Sequence, residues 1–137
     1  MIWADLDRRL TAVALTAPDD DRLIPLNSCY VAVARSKAAA ERLTAWLNCT
    51  WSRAIARHGA VPAAGGFARF TAGIISSLPL PSSVLTDPAL ATLSRAGRRG
   101  EPVQADLDEL TARHLGLSAP ARSELRDADA VGAGDRR

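Results

Sequence analysis

Cysteine, lysine and long apolar runs are all scarce in this chain of 137 residues. Its two cysteines, Cys29 and Cys49, lack the paired spacing of a zinc site and the density of a secreted disulfide scaffold. Both read as reduced core thiols. No stretch approaches the roughly 20 uninterrupted apolar residues of a membrane helix, and Met1 to Leu10 lacks the basic start and apolar run of a secretory signal. A cytoplasmic location and no membrane partner are therefore expected. The usual catalytic signatures are missing too: there is no phosphate-cradling glycine motif, no His-Glu-x-x-His and no nucleophile elbow. His58 and His114 have no obvious ligand or base partner in the sequence. Asp106, Asp108 and Glu109 suit the early turns of a helix electrostatically and need no catalytic explanation. No catalytic residue, metal or cofactor is assigned, and the chain alone is not expected to catalyse a reaction.

What remains is an ordinary globular composition, 47% hydrophobic and 23% charged, which suits one folded domain of modest size. The net charge of +2 conceals an uneven distribution. Between Arg22 and Phe70 stand Arg22, Arg35, Lys37, Arg42, Arg53, Arg57 and Arg69 against the single acid Glu41. A basic centre points toward a polyanionic partner, because neutralising phosphates releases condensed counterions. Lys37 is the only lysine. Arginine's planar fork suits phosphates and guanine edges, although codon bias in an alanine-rich chain produces the same preference.

The pattern predicts an α+β fold with short strands and a long central helix, followed by a C-terminal helical hairpin. Strand-like clusters occur at Ile2 and Trp3, Ala12 to Leu15 and Cys29 to Val33. Pro18 with Asp19, Asp20 and Asp21 reads as a solvated acidic loop, and Pro25, Asn27 and Ser28 as a turn. Ser36 offers an N-cap for a helix from Lys37 to about His58, ended by Gly59 and Pro62. At about 100° per residue, Arg42, Trp46, Arg53 and Arg57 fall on one side of that helix. This face is the best candidate for phosphate contact, with Trp46 available for packing or stacking; a merely solvated charged face is the simpler alternative. The apolar run after Phe67 fits strand or helix. Leu78-Pro79-Leu80-Pro81 is extended and marks an internal boundary, so residues 1–81 form one region and 82–126 a helical segment. Helices are expected from Asp87 to about Ala96, from Pro102 to Leu115 and from Ser118 to about Arg126, with Gly97 to Gly100 a basic turn and 127–137 a disordered tail. Leu107 to Arg126 satisfies a helix-turn-helix only superficially, since its second helix is short.

Taken in order, Ile24-Pro25-Leu26-Asn27-Ser28 leading to Tyr30-Val31, Leu47-Asn48, Gly65-Gly66 with Arg69-Phe70, and Leu78-Pro79-Leu80-Pro81 form a recognisable series. The series resembles the carboxy-terminal target-recognition region of adenine-specific DNA methyltransferases of restriction-modification systems, including fused restriction-methylation enzymes. The resemblance covers roughly residues 2–81, and the helices from Asp106 to Arg126 look like that family's terminal hairpin. Cys49 stands where the family commonly has serine. The family's Asn/Asp-Pro-Pro-aromatic catalytic motif and its glycine-rich cofactor motif are missing.

The resemblance implies the recognition end of a longer enzyme, a separate subunit or a remnant, which binds double-stranded DNA but does not methylate it. S-adenosylmethionine and a catalytic domain, in cis or in trans, are implied for the parent enzyme. Ile2 and Trp3 read as the middle of a strand, which suggests that more chain precedes Met1. By resemblance, Asn48, Arg53, Gly66, Arg69 and Phe70 lie in or near the recognition module, alongside Arg42, Trp46 and Arg57 from the helix-face argument. Asn48 also has a structural reading, since its amide can hydrogen-bond backbone groups. Alanine at Arg53 and Arg57 is expected to weaken binding to all DNA sequences alike. The competing expectation is a non-catalytic protein-protein interaction module built on the same helix.

Overall fold

The computed structural model describes residues 1–16, 24–25 and 27–133, with only the backbone for 131–133. The acidic loop 19–21 and residue 26 lie outside the described residues. The architecture is α+β. The first strand pair runs almost without interruption, β1 (Ile2–Ala4) into β2 (Leu6–Asp7), and serves two small antiparallel sheets in turn. In the first sheet β1 lies between β3 (Ala12–Val13) and β4 (Cys29–Val31). In the second, β2 pairs with β6 (Ala68–Arg69), which pairs with β5 (Val61–Pro62). Asp5 sits at the crossing: its N–H donates to the Ser28 carbonyl at 2.8 Å and its own carbonyl accepts from Phe70 at 2.6 Å.

The alternation of β1 sets the faces. Trp3 lies opposite Ala12 and Tyr30, so these three share the inner side. Trp3 stacks on Tyr30 with ring centroids 5.5 Å apart, and its indole donates to the buried Phe70 carbonyl at 2.8 Å. Ile2 lies opposite Val13 and Val31, on the outer side.

The central helical stretch occupies 37–59 but is not one helix. α1 (Lys37–Asn48) starts at Ser36, whose hydroxyl accepts from the Ala39 N–H at 3.1 Å. It stops at Cys49, whose backbone is extended with ψ at 152°, and α2 (Thr50–Gly59) begins immediately afterwards. Cys49 caps α2: its sulfur accepts from the Ser52 N–H at 3.4 Å and donates to the Ser52 hydroxyl at 3.3 Å. Serine is a common residue for this task, and here a thiol performs it. Asp108, reaching over from a later helix, accepts from the Thr50 N–H at 2.8 Å and from its hydroxyl at 2.7 Å. The carboxylate thus serves the N-terminus of α2, where the exposed N–H groups favour an anion.

The ambiguous run after Phe67 divides into strand β6 and a short helix, α3 (Ala72–Ser76), capped by Thr71. Pro81 is extended as expected, and a 3-10 turn follows at Ser82–Leu85. Next come α4 (Pro88–Arg98), α5 (Gln104–Leu115) and α6 (Ala119–Ala133). Gly116, at φ 63°, takes the left-handed position that ends α5. Over 127–133 the last helix corrects the expectation of a short helix and a disordered tail: it continues to Ala133, and Asp129 is buried. Residues 134–137 lie outside the described set. α4 packs along α1 and α6 along α2. One core therefore draws on both chain halves, with Leu10, Trp46 and Phe70 meeting Leu90, Leu107 and Ala112 in the same cluster.

Candidate nucleic-acid interface

The helix face proposed from Arg42, Trp46, Arg53 and Arg57 does not exist as a solvent-facing surface. The break at Cys49 resets the helical phase, so positions before and after it no longer follow one 100° progression. Trp46 is 2% exposed and Arg53 6%. Arg42 is half-buried and donates to the Leu85 carbonyl at 2.8 Å. Arg57 donates to the Arg8 carbonyl at 3.3 Å and to the Gly66 carbonyl at 3.0 Å. Each of the three arginines holds other parts of the fold together.

Arg53 is the most thoroughly enclosed. Its guanidinium donates to the Gln104 side-chain oxygen at 3.2 Å and to the Thr50 hydroxyl at 3.2 Å, and its Nε lies 3.5 Å from the Asp129 carboxylate. Arg9 donates to the same carboxylate. Burial pulls the Arg53 pKa below its ordinary value, and the Asp129 charge opposes that pull. The sequence could not reveal this pairing, because Asp129 falls in the segment expected to be disordered.

The residues singled out by family resemblance are brought close to the two sheets, each with a structural task. The Asn48 amide donates to the Ala12 carbonyl at 2.8 Å and accepts from the Ala12 N–H at 2.9 Å, in place of a neighbouring strand. Gly65 and Gly66 both have positive φ, 68° and 76°, which only glycine adopts readily. They form the loop joining β5 to β6, and Arg57 holds it through the Gly66 carbonyl. Arg69 projects from β6 and pairs with Asp5 while remaining half-exposed. Phe70 is fully buried, so it supports the fold from within.

A groove of about 740 Å³ opens elsewhere, lined by Thr11–Ala14 around β3, by α1, and by the stretch from Leu93 into α5. Small side chains, Ala12, Ala14 and Ala45, leave the space that the groove fills. Its cations are Lys37, Arg53, Arg95, Arg98 and Arg99, against Glu41 and Glu101. Arg95 pairs with the buried Glu41 at 2.6 Å and Arg99 with Glu101 at 2.7 Å, while Arg98 reaches the Ala14 carbonyl at 3.2 Å. None of Arg95, Arg98 and Arg99 was a candidate from the sequence. The signal was present in the basic turn around Gly97 to Gly100, which reads as a mere connection until β3 is folded against it.

His114, with no ligand or base partner obvious in the sequence, takes a structural place: it meets Ser83 at 2.8 Å from Nδ1 and Asp87 at 2.8 Å from Nε2. Asp87 also caps α4 by accepting from the Ala89 N–H at 2.8 Å, so the cluster joins the end of α5 to the start of α4. Burial pushes the Asp87 pKa up, but the Ala89 N–H and His114 outweigh it, and the carboxyl lies below its ordinary value. Among the described residues no group of three or more His, Cys, Asp or Glu side chains is placed to hold a metal ion, and no helix is long and apolar enough to cross a membrane. Compared with protein-family models, curated proteins and solved structures, the chain matches none.

Proposed function

We propose that this chain is a DNA target-recognition module of an adenine-specific DNA methyltransferase of a restriction-modification system, working with a catalytic domain in cis or in trans. S-adenosylmethionine would belong to that domain. One observation carries the reading: motif residues spread from Tyr30 to Phe70 meet in one scaffold. Asn48 holds β3, Arg57 holds the Gly66 loop, and the Phe70 carbonyl accepts from the Trp3 indole that stacks on Tyr30. Part of the series that resembles the family is thus also a physical unit here, which supports this reading. In this reading the motif residues build the module, and other groups touch DNA.

The test is anisotropy of labelled short duplexes titrated with the purified chain at several salt concentrations. Binding whose logarithm falls linearly with the logarithm of salt is expected, with a slope of about 0.9 per phosphate neutralised. Absence of salt-dependent binding would overturn the proposal.

A second reading, a protein-protein interaction module, is favoured by the outer side of the first sheet. Val13 and Val31 flank Ile2 there and are exposed, as is Val33 just beyond. Apolar rows of this kind mark interfaces when contiguous. Salt-insensitive self-association in sedimentation, without DNA binding, would select it.

A further inference from the structure

The groove combines an apolar floor with a basic rim, and its side-chain amides are already committed. The Asn48 amide is engaged by Ala12. The Gln104 amide accepts from Arg53 and donates to the Asn48 carbonyl and to Asp108. The Thr44 hydroxyl has no hydrogen-bond partner but is sealed from solvent. Base edges are read by free donors and acceptors such as Asn and Gln amides, and these two amides are not free to do so. The rim cations are partnered too, Lys37 lying 4.0 Å from the buried Glu41 that Arg95 also holds, Arg99 pairing with Glu101 and Arg98 reaching the Ala14 carbonyl, but they stand more open to solvent. The side chain of Lys37 is 64% exposed and that of Arg99 62%, and Arg95 and Arg98 stand with Arg99 at the end of α4. The lining carries more cations than carboxylates, even after Arg53 is set against Asp129.

Cations around an apolar floor match one ligand chemistry closely. A sugar–phosphate strand presents anionic oxygens at its edges and less polar deoxyribose between them. Arginine in particular engages phosphate with two parallel donors. Resting on the reading of the chain as a DNA-binding module, we infer that this groove grips the sugar–phosphate backbone of one strand of double-stranded DNA. Lys37, Arg95, Arg98 and Arg99 contact its phosphates. The groove positions the duplex and carries no sequence information, because phosphate contacts fix register while base contacts specify. Sequence is read elsewhere on the module.

The variants Lys37→Ala and Arg99→Ala test this. Both side chains are exposed; Lys37 lies 4.0 Å from the buried Glu41, which Arg95 still holds at 2.6 Å, and Arg99 pairs only with the exposed Glu101 among the ion pairs described, so folding should survive, as circular dichroism will check. Arg113→Ala is the control: it removes the same charge from an exposed site outside the groove. Each groove variant should weaken binding to unrelated duplexes by the same factor and reduce the salt slope by about 0.9, while Arg113→Ala leaves the slope unchanged. If the unaltered chain binds DNA but the groove variants behave like Arg113→Ala, this inference fails and the DNA-binding reading stands. If the unaltered chain does not bind DNA, both fail. A loss confined to particular sequences overturns the positioning role. Self-association that disappears in the groove variants while DNA affinity is unchanged assigns the groove to a protein instead, and also overturns it.

Discussion

Asn48 and Ala12 form a two-point clamp: one side-chain amide satisfies both the N–H and the C=O of one strand residue, at 2.9 and 2.8 Å. Ala12 is buried, so neither backbone group has water as a substitute. The end of α1 is thereby fixed to the edge of the first sheet, and the wall of the groove with it.

Replacing Asn48 by alanine should cost about 2–6 kcal/mol, because two backbone groups lose their partner and each unsatisfied group costs about 1–3 kcal/mol. Asn48→Asp should also destabilise, since a carboxylate cannot donate to the Ala12 carbonyl. Urea denaturation of the two variants measures this. A loss below about 0.5 kcal/mol, typical of a surface change, would show that the clamp is not structural.

The buried pair of Arg53 and Asp129 should respond asymmetrically. Asp129→Ala leaves Arg53 charged and enclosed, a situation that costs about 3–5 kcal/mol. Arg53→Met leaves Asp129 still paired with the half-exposed Arg9 and should cost clearly less. Thermal and chemical denaturation of both variants would reveal the difference; equal losses would contradict it. Lost DNA binding in Arg53→Ala would therefore report on folding before it reports on phosphate contact.

The two thiols should be chemically distinct. Burial pushes the Cys49 thiol above its ordinary pKa, and the residue has no solvent exposure, so neither thiolate nor access is available in the folded state. Cys29 is half-buried and free. Alkylation of the native protein at mildly alkaline pH should modify Cys29 alone, and alkylation in denaturant should modify both. Rapid native labelling at Cys49, located by peptide mass, would exclude the buried cap.

The depressed pKa of Asp87 has a definite pH consequence. A carboxyl held below its unfolded value of about 3.9 contributes stability that is complete above that value and is lost as pH falls through the folded value. Loosening of the junction between α4 and α5 is therefore expected under acid conditions below about pH 4. Asp87→Ala should cost about 1 kcal/mol at neutral pH by loss of the cap. Asp87→Asn should keep much of the cap while flattening the acid limb of the stability curve. An Asp87→Asn curve with the same acid limb would rule out this carboxylate as its source.

Local chemistry determined much of this fold from the sequence alone. The strand clusters at Ile2, Ala12 and Cys29, the Ser36 cap, the extended prolines and the Gly116 stop are all where short-range rules place them, because strand alternation, capping and φ restriction act over a few neighbouring residues. The candidate site was far less legible. Whether Arg53 met water or a carboxylate depended on Asp129, far along the chain. Whether Trp46 shared a face with Arg57 depended on a single extended residue, Cys49, which resets helical phase. The basic turn after α4 became one wall of a groove only when β3 folded against it. Burial and ion pairing depend on which distant segments meet, so tertiary packing alone decided which arginines hold the fold together and which remain on the surface.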